Sequence, residues 1–72
     1  MISTPNTNAV QQIHALLQDS PYREIRNVKF RVDRDTVTLQ GRTSSYYYKQ
    51  VAQEAVGNLE CVNRVVNLID VN

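Results

Sequence analysis

Asp33 and Asp35 stand two residues apart in the run VDRDT. Paired carboxylates at that spacing could exchange protons or hold a divalent cation. Their setting favours a plainer use. The segment DRD is the short polar link between two alternating runs, and Asp tolerates left-handed backbone and hydrogen-bonds its own turn. Turn chemistry accounts for both without catalysis. His14 has no second histidine to join it, and Cys61 is the one cysteine, so neither a metal-ligand set nor an internal disulfide can be assembled from them. No Cys–His pair, phosphate-cradling glycine loop or activated serine appears. These residues predict no enzyme and no cofactor.

Recognition is better provided for. The stretch SSYYYKQ, residues 44–50, holds three of the four tyrosines in a row, followed by a lysine. It could be a platform for bases or lipid headgroups, or simply the start of a helix. At about 100° per residue, Tyr48 projects onto the apolar stripe of that helix, Tyr47 lies at its edge and Tyr46 points away. The triplet is therefore not one stacking surface; Tyr46 and part of Tyr47 are left for a partner. Six of the eight basic residues fall between positions 23 and 42: Arg23, Arg26, Lys29, Arg31, Arg34 and Arg42.

The elements that must position these residues follow from periodicity. Val10, Ile13, Leu16 and Leu17 recur at helical spacing, with Asn6, Thr7 or Asn8 available as cap and Ser20-Pro21 as stop. Residues 1–7, polar with Pro5 among them, read as a flexible lead-in to a single domain at 8–72. From Ile25 the period becomes two. Val28, Phe30 and Val32 alternate with polar residues, as do Val37, Leu39 and Gly41 beyond the DRD link, which describes a hairpin with one buried and one wet face. A second helix follows, with Tyr48, Val51, Ala52, Ala55 and Leu59 on one stripe, Ser44 or Ser45 as cap and Gly57-Asn58 as stop. In the last run Val65, Asn67, Ile69 and Val71 share one parity, and Arg64, Val66, Leu68 and Asp70 the other. The predicted fold is α+β, in the order αββαβ, with both helices on one face of a three-stranded sheet. Val28, Phe30, Val37, Leu39, Val51, Ala55, Leu59, Val65 and Ile69 are the expected core.

With these elements placed, the chain resembles the BON domain, a small αββαβ module of bacterial envelope and regulatory proteins. The resemblance rests on V-x-L-x-G at Val37, Leu39 and Gly41, on inner-face alanines Ala52 and Ala55, and on Val62, Val65, Asn67, Ile69 and Val71 in the last segment. It covers residues 22–71. Asp35 and Cys61 stand where family members often carry glycine. The motif residues have packing roles: Gly41 is expected to end its strand tightly against the following helix, the alanines to bring that helix close to the sheet, and Asn67 to bond backbone. The resemblance implies a non-catalytic module that binds phospholipid surfaces or supports protein assemblies.

Composition narrows the partner. Seventy-two residues with a formal charge of +1 and 21% charged residues make one ordinary globular domain, without the basic excess that marks a nucleic-acid binder. The N-terminus has neither a basic n-region nor an apolar h-region, and no apolar run approaches the roughly 20 residues that span a bilayer. The expected setting is therefore the cytoplasm, or a longer chain of which this is one module. By parity, Lys29, Arg31, Thr38, Gln40, Arg42, Val66 and Leu68 share the open sheet face. That mixed surface suits a protein contact or self-association. Its basic part offers the alternative of an anionic phospholipid surface, where each charge contributes about 1 kcal/mol. Nucleic acid ranks last, because the face carries no aromatic residue for stacking.

Overall fold

A computed structural model describes residues 5–72, with side chains from Ala9 onward. Its elements are α1 (Pro5–Gln18), α2 (Arg23–Arg26), β1 (Lys29–Asp33), β2 (Thr36–Gln40), β3 (Arg42–Thr43), α3 (Tyr46–Gly57), β4 (Arg64–Asn67) and β5 (Asp70–Val71). The long elements give the expected αββαβ order, in an α+β fold.

Helix α1 begins at Pro5, where a missing N–H breaks no helix bond. It thus takes in Pro5, Asn6 and Thr7 of the expected lead-in. Residues 1–4, and the side chains of Asn6, Thr7 and Asn8 expected to cap it, lie outside the described residues. The buried row is Ala9, Ile13 and Leu17, four residues apart, while Val10 is 40% exposed. The apolar face is therefore rotated from the expected stripe, because the small Ala9 allows the closest approach. The chain then leaves the helix before Ser20-Pro21, as expected.

Ile25 does not open the first strand, as the period of two suggested. It sits in the four-residue α2 with its side chain buried. The Tyr22 carbonyl accepts from the N–H groups of Ile25 and Arg26, both at 3.1 Å, and the Val28 N–H bonds Ile25 at 3.1 Å. This turn drives Ile25 into the core and delays the strand to Lys29.

Strands β1 and β2 form the antiparallel hairpin, closed by the pair Asp33–Thr36 around Arg34 and Asp35. Arg34, at φ 60°, takes the left-handed position that was assigned to Asp; a side chain there costs about 1 kcal/mol. Asp35 ties the hairpin to the last strand instead. Its carbonyl accepts from the N–H groups of Asn63 (2.9 Å) and Arg64 (3.2 Å), and its carboxylate from Asn63 Nδ2 at 2.7 Å.

Strand β2 pairs in parallel with β4, and β3 with β5. The two pairings are one ladder. Leu39 faces Asn67 and Arg42 faces Asp70 at an unchanged offset. Across the gap the Leu68 N–H bonds Leu39 at 2.8 Å and the Asp70 N–H bonds Gly41 at 2.9 Å. Parity therefore runs on through the break, and the final segment behaves as the single strand its alternation predicted. The three-stranded sheet has the order β1-β2-β4.

Val28, Val37, Leu39 and Ile69 are buried as expected, together with Ile13, Leu17, Ile25, Ala52, Val56 and Val62. Phe30, Val51, Leu59 and Val65 pack at the rim and Ala55 is half-buried, so these five are corrected from full core positions. Helix α3 turns Ala52 and Val56 at the sheet, which swings Val51 and Ala55 aside. Phe30 lies on an outer strand, with no further strand to cover its ring.

Ser45 occupies the N-cap of α3 in extended conformation, but its side chain makes no cap bond. Buried Thr43 donates to the Ser45 carbonyl at 2.9 Å, and the Glu24 carboxylate accepts from both the N–H and the hydroxyl of Ser44, the latter at 2.6 Å. At the other end α3 stops at Gly57 with Asn58 in ordinary right-handed conformation, so the expected glycine stop works without a left-handed residue. Among the described residues no helix is long and apolar enough to cross a membrane.

Candidate interaction surface

The open face is written in rows by the register. Lys29 faces Gln40; Arg31 faces Thr38, which faces Val66; Asp33 faces Thr36, which faces Arg64. In the extension, Arg42 faces Asp70. The same offset sets Leu68 beside Gln40. Lys29, Arg31, Thr38, Gln40, Arg42, Val66 and Leu68 are thus brought onto one surface. Val66 is 36% and Leu68 54% exposed, two neighbouring apolar side chains uncovered on the same strand segment.

The electrostatics of this face are mixed. Lys29, Arg31, Arg42 and Arg64 are set among Asp33 and Asp70, and Arg42 has Asp70 as its cross-strand neighbour. Opposite charges so placed attract one another and dilute a purely basic patch.

The tyrosines lie at the start of α3. Tyr46 is 65% and Tyr47 58% exposed, while Tyr48 is half-buried against the core, in the order the helical wheel gave. Tyr22 was missed. Its ring meets Tyr48 at 5.2 Å and Tyr47 at 6.4 Å, and Tyr47 meets Tyr48 at 5.6 Å. Tilted and edge-on rings of this kind stabilise each other and leave no common flat face. The neighbouring Tyr22 phenol, together with desolvation, holds the Tyr47 hydroxyl above the usual phenol range. Tyr22 lies 25 residues before Tyr47 in the sequence, so no local pattern announced it.

Asn67 is the best-connected polar side chain of the last strand. Its Nδ2 donates to the Lys49 carbonyl at 3.0 Å and to Gln53 Oε1 at 3.2 Å, and its Oδ1 accepts from the Ile69 N–H at 3.1 Å. It clamps α3 to the sheet edge, a backbone role of the kind expected. Gly41 departs from expectation. It has φ 140°, and a Cβ there would lie 3.7 Å from Val28 Cα. The atoms it meets, at ordinary contact distance, belong to the backbone entering β1 and not to α3, and it is the φ that calls for glycine.

Asp33 and Asp35 serve the sheet face and the loop tie described above, and His14 is exposed on α1. Cys61 is half-buried, with its Sγ 3.8 Å from Gln12 Oε1. Among the described residues no three His, Cys, Asp or Glu side chains come together to hold a metal ion.

The BON domain family model matches residues 5–72, the whole described chain. The chain belongs to the BON domain family. A comparison with curated proteins gave no match. Within this BON domain most of the family-motif residues are packed or bonded. Val37, Leu39, Ala52, Val62 and Ile69 are buried, Ala55 and Val65 are half-buried, Asn67 is bonded and Val71 is 43% exposed at the end of the last strand. BON domains are a bacterial family of binding modules.

Proposed function

We propose that this BON domain is a non-catalytic docking module whose contact surface is the open sheet face: Lys29, Arg31, Thr38, Gln40, Arg42, Val66 and Leu68. The observation that carries the reading is the pair Val66 and Leu68, exposed side by side and framed by charged and amide side chains. A surface about as apolar as the rest of the exterior suits a contact that forms and dissolves. A domain of 72 residues also gains from extra burial. Leu68→Asp tests it. The variant should keep a native two-dimensional NMR spectrum and weaken self-association, or docking to a partner domain, in analytical ultracentrifugation. Unfolding of the variant would put Leu68 in the core and remove the surface.

Attachment to anionic phospholipid is the second reading, favoured by Lys29 and Arg31 on the same face two residues apart. It ranks below docking because Asp33 and Asp70 share that face. Vesicle binding that requires anionic lipid and fades as the Debye length shrinks from about 10 Å to about 3 Å with added salt would raise it above docking.

A further inference from the structure

The sheet has two outer strands, and they are built differently. Strand β1 carries Lys29, Arg31 and Asp33 at alternate positions, charges of the sort that guard an edge against pairing. Strand β4 runs Arg64-Val65-Val66-Asn67 and continues through Leu68 and Ile69, four apolar residues among the six. The N–H groups of Leu68, Asp70 and Asn72 bond to Leu39 (2.8 Å), Gly41 (2.9 Å) and Thr43 (2.9 Å). By alternation the backbone groups of Val65, Asn67 and Ile69 point away from the sheet. Ile69 spends its N–H on Asn67 Oδ1. Among the described residues, no hydrogen bond occupies the outward N–H groups of Val65 and Asn67. A groove of about 410 Å³, lined by Gln53, Glu54, Gly57 and Asn58, opens beside Val65, while Asn67 is tied to α3 and Ile69 is buried.

The edge is complementary to itself. Read outward from Asn67, the run RVVNLID places Val66 and Leu68, then Val65 and Ile69, then Arg64 and Asp70 at equal distances. When two such strands run antiparallel with Asn67 opposite Asn67, outward-facing residues meet outward-facing residues. The Asn67 pair can exchange both bonds, whereas each Val65–Ile69 pair has only the Val65 donor, because the Ile69 N–H is held by Asn67 Oδ1. On the open face Arg64 then lies opposite Asp70 of the second copy, and Val66 opposite Leu68. A slip to the next permitted register sets Arg64 against Leu68, or Val66 against Asp70, and loses both charge pairs.

We propose that this chain forms a twofold dimer by antiparallel pairing of β4 edges about Asn67, joining two three-stranded sheets into one of six strands. The inference rests on the docking reading above and names its partner, a second copy. The short edge makes this an exchanging dimer rather than an obligate one.

Sedimentation on the whole chain, from micromolar to millimolar concentration, tests it. A reversible monomer–dimer equilibrium is expected. Arg64→Glu and Asp70→Lys should each weaken it by about tenfold or more, through like charges facing across the twofold. Mixing the two single variants should restore association, because each copy then offers the other the opposite charge at both positions. Amide exchange at Val65 and Asn67 should slow as concentration rises, a readout that needs no substitution. A chain that stays monomeric, or a dimer indifferent to both charge reversals and to concentration at those amides, would overturn the proposal. Leu68→Asp separates the two levels. If it abolishes association while the reversals do nothing, the open face remains the interface and the edge register is wrong. If neither changes anything, both readings fail.

Discussion

Replacing Asn67 by alanine removes the clamp between α3 and the sheet edge, and the cost can be worked bond by bond. The bond from Nδ2 to the Lys49 carbonyl has a net worth of about 1 kcal/mol. The bond to Gln53 ends on an exposed side chain that water can satisfy, and adds little. The Ile69 N–H is different. Its residue is 1% exposed, so losing Oδ1 leaves a buried donor unpaired, at about 1–3 kcal/mol. The sum is about 3 kcal/mol against a total of about 4–11 kcal/mol for a domain of this length. At about 4–8 °C per kcal/mol the melting temperature should fall by about 12–24 °C, measured by far-ultraviolet circular dichroism. Hydrogen exchange locates the damage: the Ile69 amide should be the one most accelerated. Asn67→Asp, which keeps the acceptor for Ile69 and loses the donor to Lys49, should cost less and leave that amide protected. A melting temperature within about 2 °C of the parent for the alanine variant would refute the clamp, because it would show that another group satisfies Ile69.

Two further predictions concern packing and pH. Leu39→Ala, at a wholly buried site on the central strand, should cost about 2–5 kcal/mol; Phe30→Ala, on an outer strand and half-buried, should cost about 1–2 kcal/mol, and urea titrations that reverse this order would contradict the assignment of Phe30 to the rim. Glu24 is held below the ordinary carboxylate range by the hydroxyl and then the N–H of Ser44, against a small opposing desolvation, so its contribution is present above the unfolded value of about 4.3 and is lost as pH falls through the lower folded value. Parent and Glu24→Gln stabilities should therefore differ at neutral pH and converge in acid; a gap that persists at low pH would assign the effect to packing.

Most of the fold was legible because its alternation is strict. The parities of Lys29 to Asp33, of Thr36 to Gln40 and of Arg64 to Asp70 hold, since a one-residue slip would exchange the buried and wet faces. Only Val71 at the strand end is exposed against expectation. What failed was phase and local turn geometry. The α1 stripe through Val10, Ile13, Leu16 and Leu17 leaves out the buried Ala9, and the stripe through Val51, Ala52 and Ala55 leaves out the buried Val56. Ile25 looked like the start of a strand because it is β-branched and precedes an alternating run, whereas tertiary burial placed it in a helical turn. The left-handed residue of the hairpin was assigned to Asp by propensity, but Asp35 is held by Asn63 and Arg64, and Arg34 takes the strained position. The open face was predictable residue by residue. The Tyr22 contacts and the Glu24–Ser44 tie, both between segments distant in sequence, were not.

The central claim is that the open sheet face is where this BON domain meets its partner. A two-dimensional NMR spectrum recorded across a hundredfold range of protein concentration tests it most directly. The account predicts shifts concentrated at Val66 and Leu68 of the open face and at Val65 and Asn67 on the strand edge beside them, with Val10, Tyr46 and Tyr47 on the helical side unmoved. Shifts confined to Val10 and the tyrosines would contradict it, and would move the docking surface to the opposite side of the domain.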